Sequence, residues 1–386
     1  MNMNSNTKLN TNEIVKSLLG KLSKKEKDII SRRFGLKDSE RETLEAVGKL
    51  HNLTRERIRQ IENSTIKKLK ELKDLRESLK DLNEKTSGIL AEHGGLAERE
   101  YLFHLLNTFS PVEYKSKDYD VEKNHYDFLL SRIMNDDFEE VRNSEVFKHS
   151  YKTRGATLEH LEELARELIS RVEQMKEVVK TDDVINSLTS SDIYNNHKDK
   201  LPTSSELNVS SFWKDALYEE DHDIIHNNKT LYSLLQAVRD VEQNKFGFWG
   251  LYHWEEVSPK TINHKIYLVL KNEGKPMHFV EIAKRINEVC FDHKIANAAT
   301  VHNELILDSK YVLVGRGIYG LKEWGYKEGV VQDVIREILK ENGPLTKDEI
   351  VNKVLENRLV KRTTISLALM NKEAFDKVGD KYQVKA

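Results

Sequence analysis

Arg55, Glu56, Arg59, Gln60 and Asn63 are residue types that read base edges, and their spacing places them on one side of a helix. Arginine can fork onto guanine O6 and N7, glutamine onto adenine N6 and N7, and glutamate can accept from cytosine N4. Arg55 and Arg59 stand one turn apart, as do Glu56 and Gln60. Thr54, Arg57 and Lys67 complete this set of candidate DNA contacts. The remaining positions, Ile58, Ile61, Thr65, Leu69 and Leu72, recur at spacings of three and four and predict the buried stripe of the same helix. Thr54 is suited to its N-cap, while Arg57 stands where a capping box would place Glu. Upstream, Leu44, Val47 and Leu50 predict the apolar face of a preceding helix, with His51-Asn52-Leu53 as the turn. Helix, tight turn and a second helix that opens with base-reading groups is the arrangement that meets the major groove. A solvated Arg-rich helix has similar charge, but turn, cap and stripe together favour DNA.

Four stretches in order carry a resemblance. They are Leu22-Ser23-Lys24-Lys25-Glu26, Arg33-Phe34-Gly35-Leu36, Thr43-Leu44-Glu45-Ala46-Val47-Gly48 and Thr54-Arg55-Glu56-Arg57-Ile58-Arg59-Gln60-Ile61-Glu62. Residues 12–75 resemble region 4 of bacterial housekeeping-type sigma factors. The resemblance implies binding to the upstream (−35) promoter element and docking on the β flap of core RNA polymerase. It also implies that Arg55, Glu56, Arg59 and Gln60 contact bases or phosphates. No aromatic, basic helix of the promoter-melting kind accompanies it, so the chain is expected not to open a promoter unaided.

The net charge of −2 is unevenly spread. Residues 1–82 carry 20 Lys and Arg against 13 Asp and Glu, residues 256–386 carry 22 against 18, and the centre carries 20 against 33. The basic ends suit phosphate, and the acidic centre suits solvent or a basic protein surface. With 38% hydrophobic and 33% charged residues, the chain is expected to be globular and helix-rich. Its one cysteine, Cys290, rules out an internal disulfide and a cysteine zinc site. The lack of a leader or a membrane-length apolar run predicts a cytoplasmic, nucleoid-associated protein.

The expected fold class is mostly α and multi-domain, a sigma region 4-like helix-turn-helix followed by tandem winged-helix domains with small β-hairpin wings. Leu69 to Leu82 is expected to prolong the recognition helix. Five domains are expected: 1–82, 83–155, 156–255, 256–326 and 327–386. In 83–155, helices over Leu96–Leu106 and Tyr126–Met134, a loop over 107–122 and strands at Phe138–Val141 and Val146–Lys148 predict a winged helix. In 156–255, the helix Leu158–Val179, a helix capped by Thr181, and helices over Trp213–Ile225 and Leu231–Val241 suggest a degraded one. The aromatic run Phe246–Trp254 is expected to be a packing strip rather than a base-stacking platform.

The last 125 residues repeat. Ile266–Pro276 parallels Val334–Pro344, and each copy closes on a short hairpin, Tyr311–Leu321 and Phe375–Val384. Pro276–Ala283 and Gly315–Leu321 are similar to the HARE-HTH domain, a winged helix of chromatin proteins, restriction enzymes and a polymerase subunit. By position, Thr300, His302, Asn303 and the wing-tip Arg316 are the DNA-contact candidates of the first copy. Lys361, Arg362 and Thr363 are those of the second.

No phosphate-binding Gly-Lys loop or nucleophile elbow is found. Asp136, Asp137, Glu139 and Glu140 read as a solvated acidic turn, and His222 with His226 lacks a third metal ligand. No enzyme, cofactor or metal is expected. The favoured function is a promoter-reading transcription regulator with double-stranded DNA and core polymerase as partners and no membrane. A polymerase-bound modulator acting by protein contacts is the first alternative. The specificity component of a DNA-processing enzyme is the second.

Overall fold

Asn10, Ser23, Thr43 and Thr54 each accept a backbone N–H three residues on, which fixes four helix starts. The helices are α1 (Thr11–Gly20), α2 (Lys24–Phe34), α3 (Leu44–His51) and α4 (Arg55–Lys70). The computed structural model describes residues 8–114, 116–142, 144–202, 218–327 and 329–385. It divides into two units, Met1–Tyr252 and His253–Ala386.

In the first unit, Ile29, Val47 and Ile58 are fully buried between α2, α3 and α4, with Leu44, Leu53 and Ile61 against them. Leu50 departs from the expected stripe and is 59% exposed. A spacing of three falls 60° short of a full turn at each step, so Leu50 has drifted off the face that Leu44 begins. Leu53, from the turn, fills that place.

The recognition helix does not continue to Leu82. It stops at Lys70, and α5 (Leu75–Glu92) starts after a four-residue corner that contains neither Gly nor Pro. The redirection buries Leu79 and Leu82 in the module that follows. That module runs α5, β1 (Leu96–Glu98), α6 (Arg99–Asn107), α7 (Lys117–Phe128) with a π-helical turn at Leu129–Ile133, then β2 (Phe138–Val141) and β3 (Ser150–Thr153). The strand order is β1-β3-β2, as in a winged helix.

Three expectations change here. Leu96–Glu98 is a strand paired with β3, and the Glu98 carboxylate caps α6 at the Tyr101 N–H. Residues 117–122 are helical rather than loop, started by Ser116 on the Tyr119 N–H. The second wing strand is Ser150–Thr153, because Phe147 is taken by a bridge to Val238. Asn143, placed in the wing turn, lies outside the described residues.

The rest of the first unit holds α8 (Glu159–Met175), α9 (Thr181–Thr189), α10 (Asp192–His197), α11 (His222–Asn227), α12 (Lys229–Ala237), β4 (Val241–Gln243) and β5 (Trp249–Leu251). Val179 bridges Trp249, so α8, α9, α12 and the β4–β5 hairpin repeat the winged-helix order around a long insertion. Thr181 is no cap; its hydroxyl accepts the Trp249 indole N–H and donates to Glu220. In the aromatic run Trp249 and Phe246 are buried, as a packing strip requires, whereas Tyr252 is 50% exposed. Trp213 lies outside the described residues.

The second unit contains the repeat. One copy is α13 (Ile262–Glu273), β6 (Met277–His278), α14 (Phe279–Val289), α15 (Ala298–Leu307), β7 (Tyr311–Gly315) and β8 (Ile318–Leu321). The other is α16 (Val331–Asn342), β9 (Leu345–Thr346), α17 (Lys347–Asn357), α18 (Arg362–Leu369), β10 (Phe375–Val378) and β11 (Lys381–Val384). Their sheets, β6-β8-β7 and β9-β11-β10, have the strand order of the first module. Among the described residues no helix is long and apolar enough to cross a membrane.

Candidate nucleic-acid interface

The α3–α4 corner is set by close backbone contact. The Leu53 N–H donates to the Gly48 carbonyl at 2.9 Å, and a Cβ at Gly48 would lie 2.7 Å from the Leu53 oxygen. Only glycine lets the turn approach this closely. Asn52 takes the left-handed conformation, φ 53°, that ends α3. Thr54 is spent on the cap, its Oγ1 accepting from the Arg57 N–H at 3.2 Å.

Arg55, Glu56, Arg59, Gln60, Asn63 and Lys67 are all exposed along α4. Two of the reading groups are paired. Arg59 forks onto Glu56 through Nε–Oε2 at 2.9 Å and Nη2–Oε1 at 2.7 Å. Hydrogen bonding to Arg59 is the main cause of a lowered Glu56 pKa. Arg57 donates to Gln60 Oε1 at 3.1 Å. The Arg59 fork has the bidentate geometry that guanine offers. Engaging guanine therefore exchanges one planar acceptor pair for another and releases Glu56 toward a cytosine amine.

Glu62 is the residue the sequence reading missed. It is buried and bonds Arg33 Nε at 2.8 Å, while Arg33 also donates to the Glu42 carbonyl. Its place four residues after Ile58 and three before Thr65 sets it on the buried stripe, but a glutamate there gives no sign of which partner it meets. This pair ties α4 to α2 and sets the angle at which α4 leaves the bundle.

Behind α4, the head formed by α1–α4 is gripped by α7. Asn124 donates to the carbonyls of Gly35 (3.1 Å) and Ser39 (2.7 Å) and accepts from Arg41 (2.6 and 2.8 Å). His125 donates from Nε2 to the Leu36 carbonyl at 3.1 Å, and burial lowers its pKa. The Phe34 and Phe128 rings are 4.9 Å apart. Gly35, at φ 63°, leaves no room for a Cβ beside Asn124 Nδ2. The third helix of this winged-helix module, the one such modules present to DNA, is thus turned toward the head.

Asp127, Glu140 and His149 lie close enough to share an ion. They already carry counter-charges: Arg41 and Arg99 on Asp127, and Arg142 on Glu140. The constellation joins head to module and has no need of a metal for charge balance. Asp136, Asp137 and Glu139, grouped with Glu140 in the sequence, are spread along the π-turn exit and β2; Asp136 pairs with Lys70.

In the second unit, Thr300 and Asn303 are exposed on α15 and Arg316 is exposed at the wing turn. His302 stacks on Phe279 at 4.4 Å and meets Tyr319 edge-on. Its ring is engaged within the module. Lys361, Arg362 and Thr363 are exposed at the start of α18. The same helices end on exposed apolar side chains, Ile306 and Leu307 on α15, with Leu367 on α18 and Met370 just after it.

Residues 18–71 match the sequence family described as Sigma-70, region 4. RNA polymerase sigma factor RpoD of Helicobacter pylori is 54% identical over 57 residues, 14% of this chain and 8% of that protein. RNA polymerase sigma factor SigA1 of Synechococcus elongatus is 47% identical over 58 residues, 15% of this chain and 14% of that one. SigA of Nostoc sp. is 45% identical over 58 residues. The chain spans about a seventh or less of the curated relatives it matches. Its N-terminal segment is a sigma-70 region 4 helix-turn-helix.

Proposed function

We propose that the chain is a non-enzymatic transcription regulator that reads upstream promoter DNA through α4 and has no promoter-opening activity of its own. The observation that carries this reading is the face of α4. Arg55, Glu56, Arg59, Gln60 and Asn63 are all exposed on a helix whose cap, turn and buried stripe are set by the region 4 fold. Double-stranded promoter DNA is the ligand. Core RNA polymerase is the expected protein partner, since the relatives named above are polymerase sigma factors. The winged-helix modules behind the head, expected at 83–155, 156–255, 256–326 and 327–386 and with the first taking in all of α5 from Leu75, serve as spacer and contact modules. The copy at 256–326 is read as HARE-HTH-like.

A second reading draws on the exposed Ile306, Leu307, Leu367 and Met370. Apolar side chains on the very helices that would enter a groove favour protein over phosphate. In that reading the second unit holds polymerase and makes the chain a modulator that travels with it. Genome-wide footprinting of the tagged protein separates the two. Promoter peaks sharing a sequence motif are the expected result, whereas peaks that follow polymerase with no motif would refute the reading of DNA by α4.

A further inference from the structure

The break after α4, where a continuous helix was expected, creates a groove that the reading of α4 does not use. Its volume is about 680 Å³. One wall is the corner and the first turns of α5, carrying Lys70, Lys73, Arg76 and Lys80. The other is the exit of the π-helical turn, with Met134, Asp136 and Asp137. Leu72, Leu75 and Leu79 line its apolar part. Because α7 grips the head, the two walls are held in register, and Lys70 crosses the groove to Asp136 at 2.9 Å.

Two features tie the groove to the DNA-facing side of α4. At 100° per residue, Lys70 falls about 20° from Arg59 on the helix wheel, three turns and roughly 16 Å further along. Lys67 falls between them along the axis, about 80° round from Arg59. A 16-residue helix is about 24 Å long, whereas the major groove is about 12 Å wide. A duplex seated on the start of α4 therefore brings a bordering phosphate strand toward its end. Beyond Lys70 the positive charge continues. Arg76 and Lys80 are one turn apart on α5, and together with Lys73 they are exposed and make no ion pair among the described residues. Glu84, Asp136 and Asp137 also border the groove, so it is not uniformly basic. Asp136 is spent on Lys70, which leaves the three cations of the Lys73–Arg76–Lys80 row against Glu84 and Asp137.

We propose that this groove is a second DNA site, a phosphate-backbone seat that extends the footprint of α4 by contacts indifferent to base sequence. It rests on the reading of α4 as the base-reading helix. Each phosphate neutralised by a Lys or Arg adds about 0.9 to the slope of log affinity against log salt. The full-length triple variant Lys73→Ala/Arg76→Ala/Lys80→Ala is therefore expected to lower the slope by about 2–3, so that its loss of affinity grows roughly four- to eightfold with each halving of the salt concentration. Its preference for a promoter duplex over a scrambled one should not change. Asp136→Asn frees Lys70 and should act in the opposite direction, steepening the slope by up to about 1.

Binding is measured by fluorescence anisotropy on both duplexes across a salt series, with a thermal melt of each variant as the check on folding. A triple variant that melts like the parent and keeps its slope overturns the groove while leaving α4 intact. If the same variant instead loses capture of core polymerase, the groove belongs to an acidic protein surface and the proposal falls. A parent protein that binds both duplexes equally overturns the reading of α4, and one that binds neither overturns both.

Discussion

Asp127→Ala is expected to cost about 3 kcal/mol, the low end of what removing one partner of a buried ion pair costs. The carboxylate is buried and has three partners: Arg41 Nη2 at 2.7 Å, Arg99 Nε at 3.2 Å and the Tyr151 hydroxyl at 2.7 Å. Arg41 comes from the head and the other two from the module behind it. Truncation leaves Arg99 mostly buried, although it keeps Glu100. Arg41 retains Asn124, and its partial exposure is why the low end applies.

The same residue gives the head–module junction a dependence on pH. Burial pushes the Asp127 pKa up, but Arg99, Tyr151 and Arg41 outweigh it and bring it to about 2, against 3.8 when unfolded. The shift is downward, so the stabilisation is present above the unfolded value and is lost as pH falls through the folded one. It amounts to about 2 kcal/mol, disappearing between roughly pH 4.5 and pH 2. Urea unfolding across that range should show the loss in the parent protein and its absence in Asp127→Ala. An alanine variant as stable as the parent at pH 7 would mean that α7 does not hold the head.

Gly48→Val is expected to do the second-largest damage. Any Cβ there meets the Leu53 carbonyl oxygen at 2.7 Å, and that oxygen is backbone, which cannot step aside as a side chain can. The turn must open, and strain of this kind costs about 1–3 kcal/mol. A β-branched side chain belongs at the upper end. Since the turn aims α4, DNA affinity should fall by more than the stability loss alone implies. Gly20→Ala is the contrast. It lies in the last turn of α1 with nothing near its Cβ position, so it should gain about 0.5–1 kcal/mol from helix propensity and a less free unfolded chain. Equal melting behaviour of the two variants would contradict the contact described.

The helix-turn-helix was legible because its determinants are local. The caps at Ser23, Thr43 and Thr54 and the stripe Ile58–Leu69 lie within a few residues of what they organise. The tandem hairpins of the second unit were legible for the same reason, through Gly317 and Gly379. Helix α7 was legible only at its end, where Tyr126 and Phe128 are buried. The rest of its buried face is Tyr119 with Glu122, Asn124, His125 and Asp127, mostly polar residues that no hydrophobic period marks. Their partners lie far away in sequence: 111 residues for Thr11 on Glu122, 85 for Ser39 on Asn124. Glu62 was hidden in the same way, since its partner Arg33 lies on another helix. The corner after α4 carries no Gly or Pro, and burial of Leu79 and Leu82 in the following module decides it.

The most direct test compares full-length parent protein with Arg55→Ala/Gln60→Ala in competition between a promoter duplex bearing the upstream element and a scrambled duplex of equal length and charge. Both residues are exposed, so folding should be unaffected. The parent should prefer the promoter by tenfold or more, and the double variant should bind both duplexes with one weakened affinity, each lost base contact being worth about 1–3 kcal/mol. A double variant that keeps the parent's preference would show that base sequence is not read through α4.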